Sequence, residues 1–153
     1  MPLAELNIAM PKYPLDDPRI AGFTDNIGRV NGLAATMPGF VWRHGDQASG
    51  HPGHQPVPWP NAIVTLSVWE RAEDLHHFVR NTIHKAFHAR RAEWFDAMDA
   101  HHFVMWHVAP DHRPTLTEAE ARLDHLDTHG DTDHAFGWSH LAPIAYRNPQ
   151  QCG

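Results

Sequence analysis

The sequence predicts an α+β fold, a ferredoxin-like βαββαβ antiparallel sheet with its helices on one face, and three observations predict it. Four short apolar runs are separated by two stretches of helical periodicity in the order β-α-β-β-α-β. Of the compact ways to lay two helices on one antiparallel sheet, the split βαβ arrangement is the common solution for that order. The runs also carry large apolar side chains on both sides, among them Phe40, Trp42, Ile63, Leu66, Val68, Trp69 and Trp106, so both faces of the sheet are expected to be buried. Two helices can cover one face only, and homodimerisation through the other is the simplest way to cover the rest.

The first strand is expected from Leu3 to Ala9, where Ala4, Leu6 and Ile8 make a strictly apolar face and alternate with Glu5 and Asn7. Asp17-Pro18 then supplies an N-cap and a proline at the first helical position, and Ile20, Phe23, Ile27, Val30 and Ala34 recur at helical spacing until Met37-Pro38-Gly39. Gly39 to Arg43 reads as the second strand. Ala62 to Trp69 reads as a central third strand, rich in the β-branched residues that suit sheets. Residues 45–60 between them hold three Gly, four Pro, His51 and His54, and a connection of that kind is either functional or mobile. Phe103 to Val108 is the fourth strand. An extra C-terminal helix follows, with overlapping capping boxes at Thr115–Glu118 and Thr117–Glu120, apolar Leu116, Ala119, Leu123 and Leu126, and a stop at Gly130. The domain is thus expected over residues 1–130, with 131–153 as a C-terminal tail.

Chemistry is most legible between Ala72 and Met98, because the apolar phase changes partway along. On one continuous helix Leu75, Phe78, Val79, Thr82 and Ala86 share a face, and His77, His84 and His88 point to water. Phe87, Trp94, Phe95 and Met98 belong to another phase, which requires an interruption near Thr82-Ile83. In the second helix so formed, His84, His88 and Arg91 share a stripe flanked by aromatic side chains, as ionisable groups on a pocket wall do. The four-residue His84/His88 spacing also suits metal ligation, without the glutamate of H-E-x-x-H. Three readings stay open for this pair: solvated histidines, acid–base or substrate-binding groups, and ligands to haem or a transition metal. Arg91 is a candidate clamp for a carboxylate or an enolate oxygen, or a rim arginine with its stem over Phe95. Asn7 and Arg43 are polar residues in apolar strands, so each needs a partner or solvent, and exposure at a strand end is the expected explanation for Arg43. His107, His112, His125, His129, His134 and His140 show no spacing that assembles a site.

Composition narrows the classes. With 42% hydrophobic and 20% charged residues the chain is globular rather than disordered. A formal net charge of −6 and scattered Lys and Arg argue against a nucleic-acid partner. The single cysteine, Cys152, forbids an intrachain disulfide and a multi-cysteine metal site, and fits a reducing cytoplasm. No stretch approaches the ~18 apolar residues of a membrane span, and Met1 to Glu5 lack the basic start of a secretory signal. A Gly-rich phosphate loop, a nucleophile elbow and a spaced carboxylate pair are all missing from the sequence, which disfavours nucleotide binding and hydrolysis.

The blocks Leu3-Ala4-Glu5-Leu6-Asn7-Ile8-Ala9, Pro14-Leu15-Asp16-Asp17-Pro18, Pro38-Gly39-Phe40-Val41-Trp42-Arg43, Ser67-Val68-Trp69-Glu70, Thr82 with His84, Arg90-Arg91-Ala92-Glu93-Trp94-Phe95 and Glu118-Ala119 through Leu123 resemble a bacterial domain-of-unknown-function family. That family is grouped with the dimeric α+β barrel superfamily, which includes antibiotic-biosynthesis-type monooxygenases. The resemblance spans about Leu3 to Phe136, and the 45–60 insert is longer than the family pattern suggests. It implies a fold and a homodimer rather than one reaction, because the superfamily holds cofactor-free oxygenases, haem proteins and simple ligand binders. The leading expectation is a small-molecule enzyme, monooxygenase-like and without a cofactor, acting on an aromatic or polyketide-like compound. Trp42, Trp69, Trp94 and His88 would line its substrate site, His84 would abstract a proton, and Arg91 with Asn7 would stabilise the resulting oxyanion. The alternatives are a haem- or metal-binding protein using His84 or His88, and a non-catalytic small-ligand-binding dimer.

Overall fold

The structure, a computed structural model, describes residues 1–14, 16–44, 62–81, 89–96 and 102–141. Its centre is an antiparallel sheet of five strands: β1 (Leu3–Pro11), β2 (Phe40–Arg43), β3 (Ile63–Trp69), β4 (Phe95–Asp96) and β5 (Phe103–His107). Strand β1 is central and pairs with β3 along one side and with β5 and then the two-residue β4 along the other, while β2 adds outside β3. All of these pairings are antiparallel.

Helices are α1 (Ala21–Thr24), α2 (Ile27–Thr36), α3 (Ala72–Asn81), α4 (Arg91–Trp94), α5 (Leu116–His129) and α6 (Trp138–Leu141). The expected first helix is present in pieces. Asp17 caps it by accepting from the Arg19 N–H at 2.8 Å, a 3-10 turn runs over Pro18–Ile20, and the helix breaks at Asp25-Asn26 between α1 and α2. Helix α5 runs as expected from a Thr115 cap to Gly130, which takes a positive φ of 72°.

The alternation of β1 sorts its residues between two apolar layers. Ala4, Leu6 and Ile8 join Leu66, Val68, Val104 and Trp106 beneath Ala119, Leu123 and Leu126 of α5. Leu3 joins Trp69, Met105 and Phe136 beneath Ala34 of α2 and Leu75 and Phe78 of α3. Helices α2 and α3 lie on one face, as expected of the βαββαβ unit, and the extra C-terminal helix α5 covers part of the other. The physical reason is that Ala119, Leu123 and Leu126, spaced by three and four, form the stripe that this face needs.

The expected tail is corrected as far as Leu141. Phe136 exchanges two backbone hydrogen bonds with Met105 at the free edge of β5, at 2.8 and 3.0 Å. Ala135 and Phe136 are fully buried, Ala135 in the α5 layer and Phe136 in the α2/α3 layer, so this segment wraps the sheet edge from one face to the other. The 45–60 loop, the expected interruption at Thr82-Ile83, and residues 142–153 lie outside the described residues.

Candidate functional site

The polar residues of the sheet gather on the α2/α3 side, and a bulge in β2 is what completes the group. Phe40 pairs with Trp69, but Trp42 pairs with Val68 and Arg43 with Ser67, so one extra residue, Val41, is inserted between them. A bulge of this kind resets the alternation of the strand beyond it. Phe40 and Arg43 consequently share the α2/α3 face, and the Arg43 guanidinium lies 5.2 Å from the centre of the Phe40 ring. In an unbulged strand Arg43 would point into the apolar layer under α5.

Arg43, Ser67 and Glu5 then stand side by side on three neighbouring strands, since Ser67 is the register partner of both others. All three are buried: Glu5 is 5% exposed, Ser67 2% and Arg43 9%. The Trp69 Nε1–H donates to Ser67 Oγ at 3.0 Å, and Ser67 Oγ donates to Glu5 Oε1 at 2.6 Å. The indole N–H, a donor only, occupies an acceptor position on the serine and directs the single hydroxyl hydrogen towards the carboxyl group. Trp69 is itself held by Phe40, edge-on at 5.4 Å, and by Phe78, stacked at 5.6 Å. Arg43 donates from Nη1 to the Asn31 carbonyl of α2 at 3.0 Å and so ties that helix to the sheet.

Burial pushes the Glu5 carboxyl up to about 7, and the Ser67 hydrogen bond and the Arg43 charge hold it from going higher. A carboxyl group that exchanges its proton near neutral pH suits general acid–base chemistry. One register step along the strands, Asn7 and Thr65 face each other on the same side and are half-buried. A polar row thus runs from Asn7 and Thr65 to Glu5 and Ser67 on this face. Its flank is aromatic: Phe103, the β5 partner of Asn7, is stacked on Trp138 at 5.7 Å, and Trp138 meets the His76 ring edge-on at 5.4 Å. Burial, with the nearby Arg80 and His77 charges, lowers the pKa of His76 and favours its neutral form.

The residues expected to form one pocket are dispersed. Asn7 and Trp69 lie in this layer, but Trp69 is buried and packed between Phe40 and Phe78. Trp42 is on the opposite face beside Val68, with the Arg113 guanidinium 6.0 Å from its ring. Trp94 is buried against α1, where the absence of a side chain at Gly22 lets it approach and where Phe23 lies 5.8 Å away. Arg90, not Arg91, covers the Trp94 ring at 4.7 Å and pairs with Glu93, whereas Arg91 is exposed. His84 and His88 lie outside the described residues. Strand-end exposure does not explain Arg43, which is buried against α2 because of the bulge.

Glu5 and Ser67 were not among the expected site residues, although a signal existed. A glutamate in the middle of a strand expected to be buried on both faces must itself be buried. Arg43 could not be joined to it without knowing the bulge. Among the described residues no group of three His, Cys, Asp or Glu side chains is arranged to hold a metal ion, and no helix is long and apolar enough to cross a membrane.

A search of curated proteins finds no match to the chain. Residues 2–151 match the family described as a domain of unknown function, DUF3291, and the chain belongs to that family.

Proposed function

We propose that the chain is a small-molecule enzyme that moves a proton at carbon or oxygen, with Glu5 as the acid–base group and Asn7 as a hydrogen-bonding group for the substrate. The observation that carries this reading is the buried Glu5 carboxyl, oriented by Ser67 and Trp69 and titrating about neutrality. A group poised in that range combines availability of the base with driving force for proton transfer. The flanking Phe103 and Trp138 rings favour an aromatic or otherwise planar substrate, in keeping with the monooxygenase-like expectation. Proton removal from such a compound would leave an electron-rich anion able to react with dioxygen without a cofactor. In this reading Glu5 takes the role first given to His84.

The finer architecture is part of the proposal. The neighbour order β5-β1-β3-β2 supports a ferredoxin-like assignment and with it the dimeric α+β barrel class. Helix α5 packs on β5 and β1, so a second copy would meet the half-buried margin of Val41, Trp42 and Val64 on the same face. We place the homodimer there and the protein in the cytoplasm.

The test is deuterium incorporation from heavy water into a panel of phenolic and 1,3-dicarbonyl compounds, followed by NMR. Wild-type protein is expected to accelerate exchange, with a rate that rises as Glu5 ionises through about pH 7. Glu5→Gln is expected to lose about a hundredfold or more of that acceleration. Equal rates for the two proteins would remove Glu5 from the chemistry.

A further inference from the structure

The C-terminal wrap is joined to α5 by histidines that the candidate site does not use. His125 lies between two other imidazoles, with ring centres 4.4 Å from His129 and 4.6 Å from His134. His125 and His129 are one helical turn apart on α5, and His134 begins the segment that carries Ala135, Phe136 and Trp138. Arg122, from the same helix, donates from Nη1 to both His134 Nδ1 at 2.9 Å and the His134 carbonyl at 2.7 Å. Guanidinium is only a donor, so His134 Nδ1 must accept, which requires the neutral ring with its proton on Nε2. The His125 Nδ1 atom is buried with no hydrogen-bond partner among the described residues, so a proton placed there would have no acceptor.

We propose that residues 132–141 form a proton-sensitive strap, held closed by neutral His134 and released when it is protonated. Protonated His134 cannot accept from Arg122, and the two cations would then stand at hydrogen-bond distance.

The other charges around it do not cancel this. Asp131 accepts from the Gly137 N–H and the Ser139 hydroxyl, Asp133 pairs with His140, and His107 of β5 lies against Phe136. Asp124 and Asp127 of α5 are exposed. The Asp133–His140 pair strengthens on protonation, but the Asp133 side chain is fully exposed and such pairs contribute little. Burial, Arg122 and His125 all lower the pKa of His134. Stability from this group is therefore complete above its ordinary value of 6.5 and is lost as the pH falls below it.

Opening would expose the site's flank. Phe136 is bonded to Met105, the register partner of Glu5, and Trp138 is stacked on Phe103, the register partner of Asn7. Any effect on turnover rests on the Glu5 reading, whereas the opening does not.

The experiment is native-state amide exchange on the full chain by NMR, expressed as protection relative to an unstructured peptide at each pH. The reporters are Phe136 N–H, bonded to the Met105 carbonyl, and Thr132 N–H, bonded to the Ala135 carbonyl, both at 3.0 Å. Their protection is expected to fall about tenfold or more between about pH 7.5 and about pH 5.5, while that of Asn7 and Thr65 in the β1–β3 ladder holds. His134→Gln keeps an acceptor for Arg122 but does not titrate, and is expected to flatten the fall. Arg122→Gln, which removes the opposing cation, is expected to weaken it even if the first variant packs poorly. A uniform loss across the sheet, an unchanged strap, or the same fall in both variants would overturn the proposal. No substrate is present, so the strap stands or fails separately from the role of Glu5.

Discussion

The two faces of β1 are built from alternate residues of one strand and solve burial in different ways. Under α5, Ala4, Leu6 and Ile8 join a continuous apolar cluster. Under α2 and α3, the same strand contributes Glu5 and Asn7 beside Leu3, and Glu5 meets Ser67 and the charge of Arg43. The α5 layer loses water contact over an apolar surface and is stabilised accordingly. The other layer keeps an ionisable group whose charged form burial disfavours. One face is therefore the mechanical base of the domain, and the other is the one that holds chemical potential.

The largest expected effect tests the base. Leu123→Ala removes a buried side chain from the α5 layer and is expected to cost about 2–5 kcal/mol in denaturant unfolding. A small loss would mean that α5 is not anchored to the sheet as described.

Glu5→Gln tests the other face through its pH dependence. The Glu5 pKa is raised, so its stability contribution is complete below the unfolded value of 4.5 and is lost as the pH rises towards about 7. With a shift of that size, the glutamine variant is expected to be more stable than wild type by about 3 kcal/mol above neutrality and nearly equal to it in acid. Parallel stability–pH curves for the two proteins would show that Glu5 is not desolvated.

A third substitution probes how α3 closes over the polar face. Gly39 has a φ of +86°, and a methyl group there would collide with the Asp74 side chain of α3. Gly39→Ala is expected to destabilise by about 2 kcal/mol and to displace α3, seen as shifted Phe78 and Trp69 resonances.

The smallest effect returns to α5. Thr115 Oγ accepts from the Glu118 N–H at 3.1 Å, so Thr115→Ala is expected to cost about 1 kcal/mol. The reciprocal half of the expected capping box is replaced: the Glu118 carboxylate accepts from Trp106 Nε1 at 2.9 Å and meets His112 at 2.7 Å. Glu118→Gln is therefore expected to disturb Trp106 and the sheet as well as the helix end, which chemical shifts of the Trp106 indole would register.

Much of this is legible in the sequence. The alternation in β1, the Asp17-Pro18 start, the apolar stripe of α5 and its Thr115 and Gly130 ends are local patterns, read within a few residues of the chain. The site was legible only in part. Asn7 was singled out because an amide in an apolar strand needs a partner, but the tryptophans joined by residue type fell on separate surfaces. Type carries no information on which side of a sheet a side chain lies, and in β2 one inserted residue reverses that side.

By itself, then, the sequence determined β1, β2, β3 and β5, the helical stretches as far as α5, their order and the mixed α+β class, because periodicity and capping act over a turn or a pleat. It determined neither the two-residue β4, where a helix was expected at Phe95, nor α6. The tertiary structure alone decided that α5 covers part of the second face, that Ala135 and Phe136 wrap the sheet edge, and that Arg43, Ser67 and Glu5 come together. Each depends on register between segments far apart in the chain, and register is set by burial summed over the whole sheet rather than by any one stretch of residues.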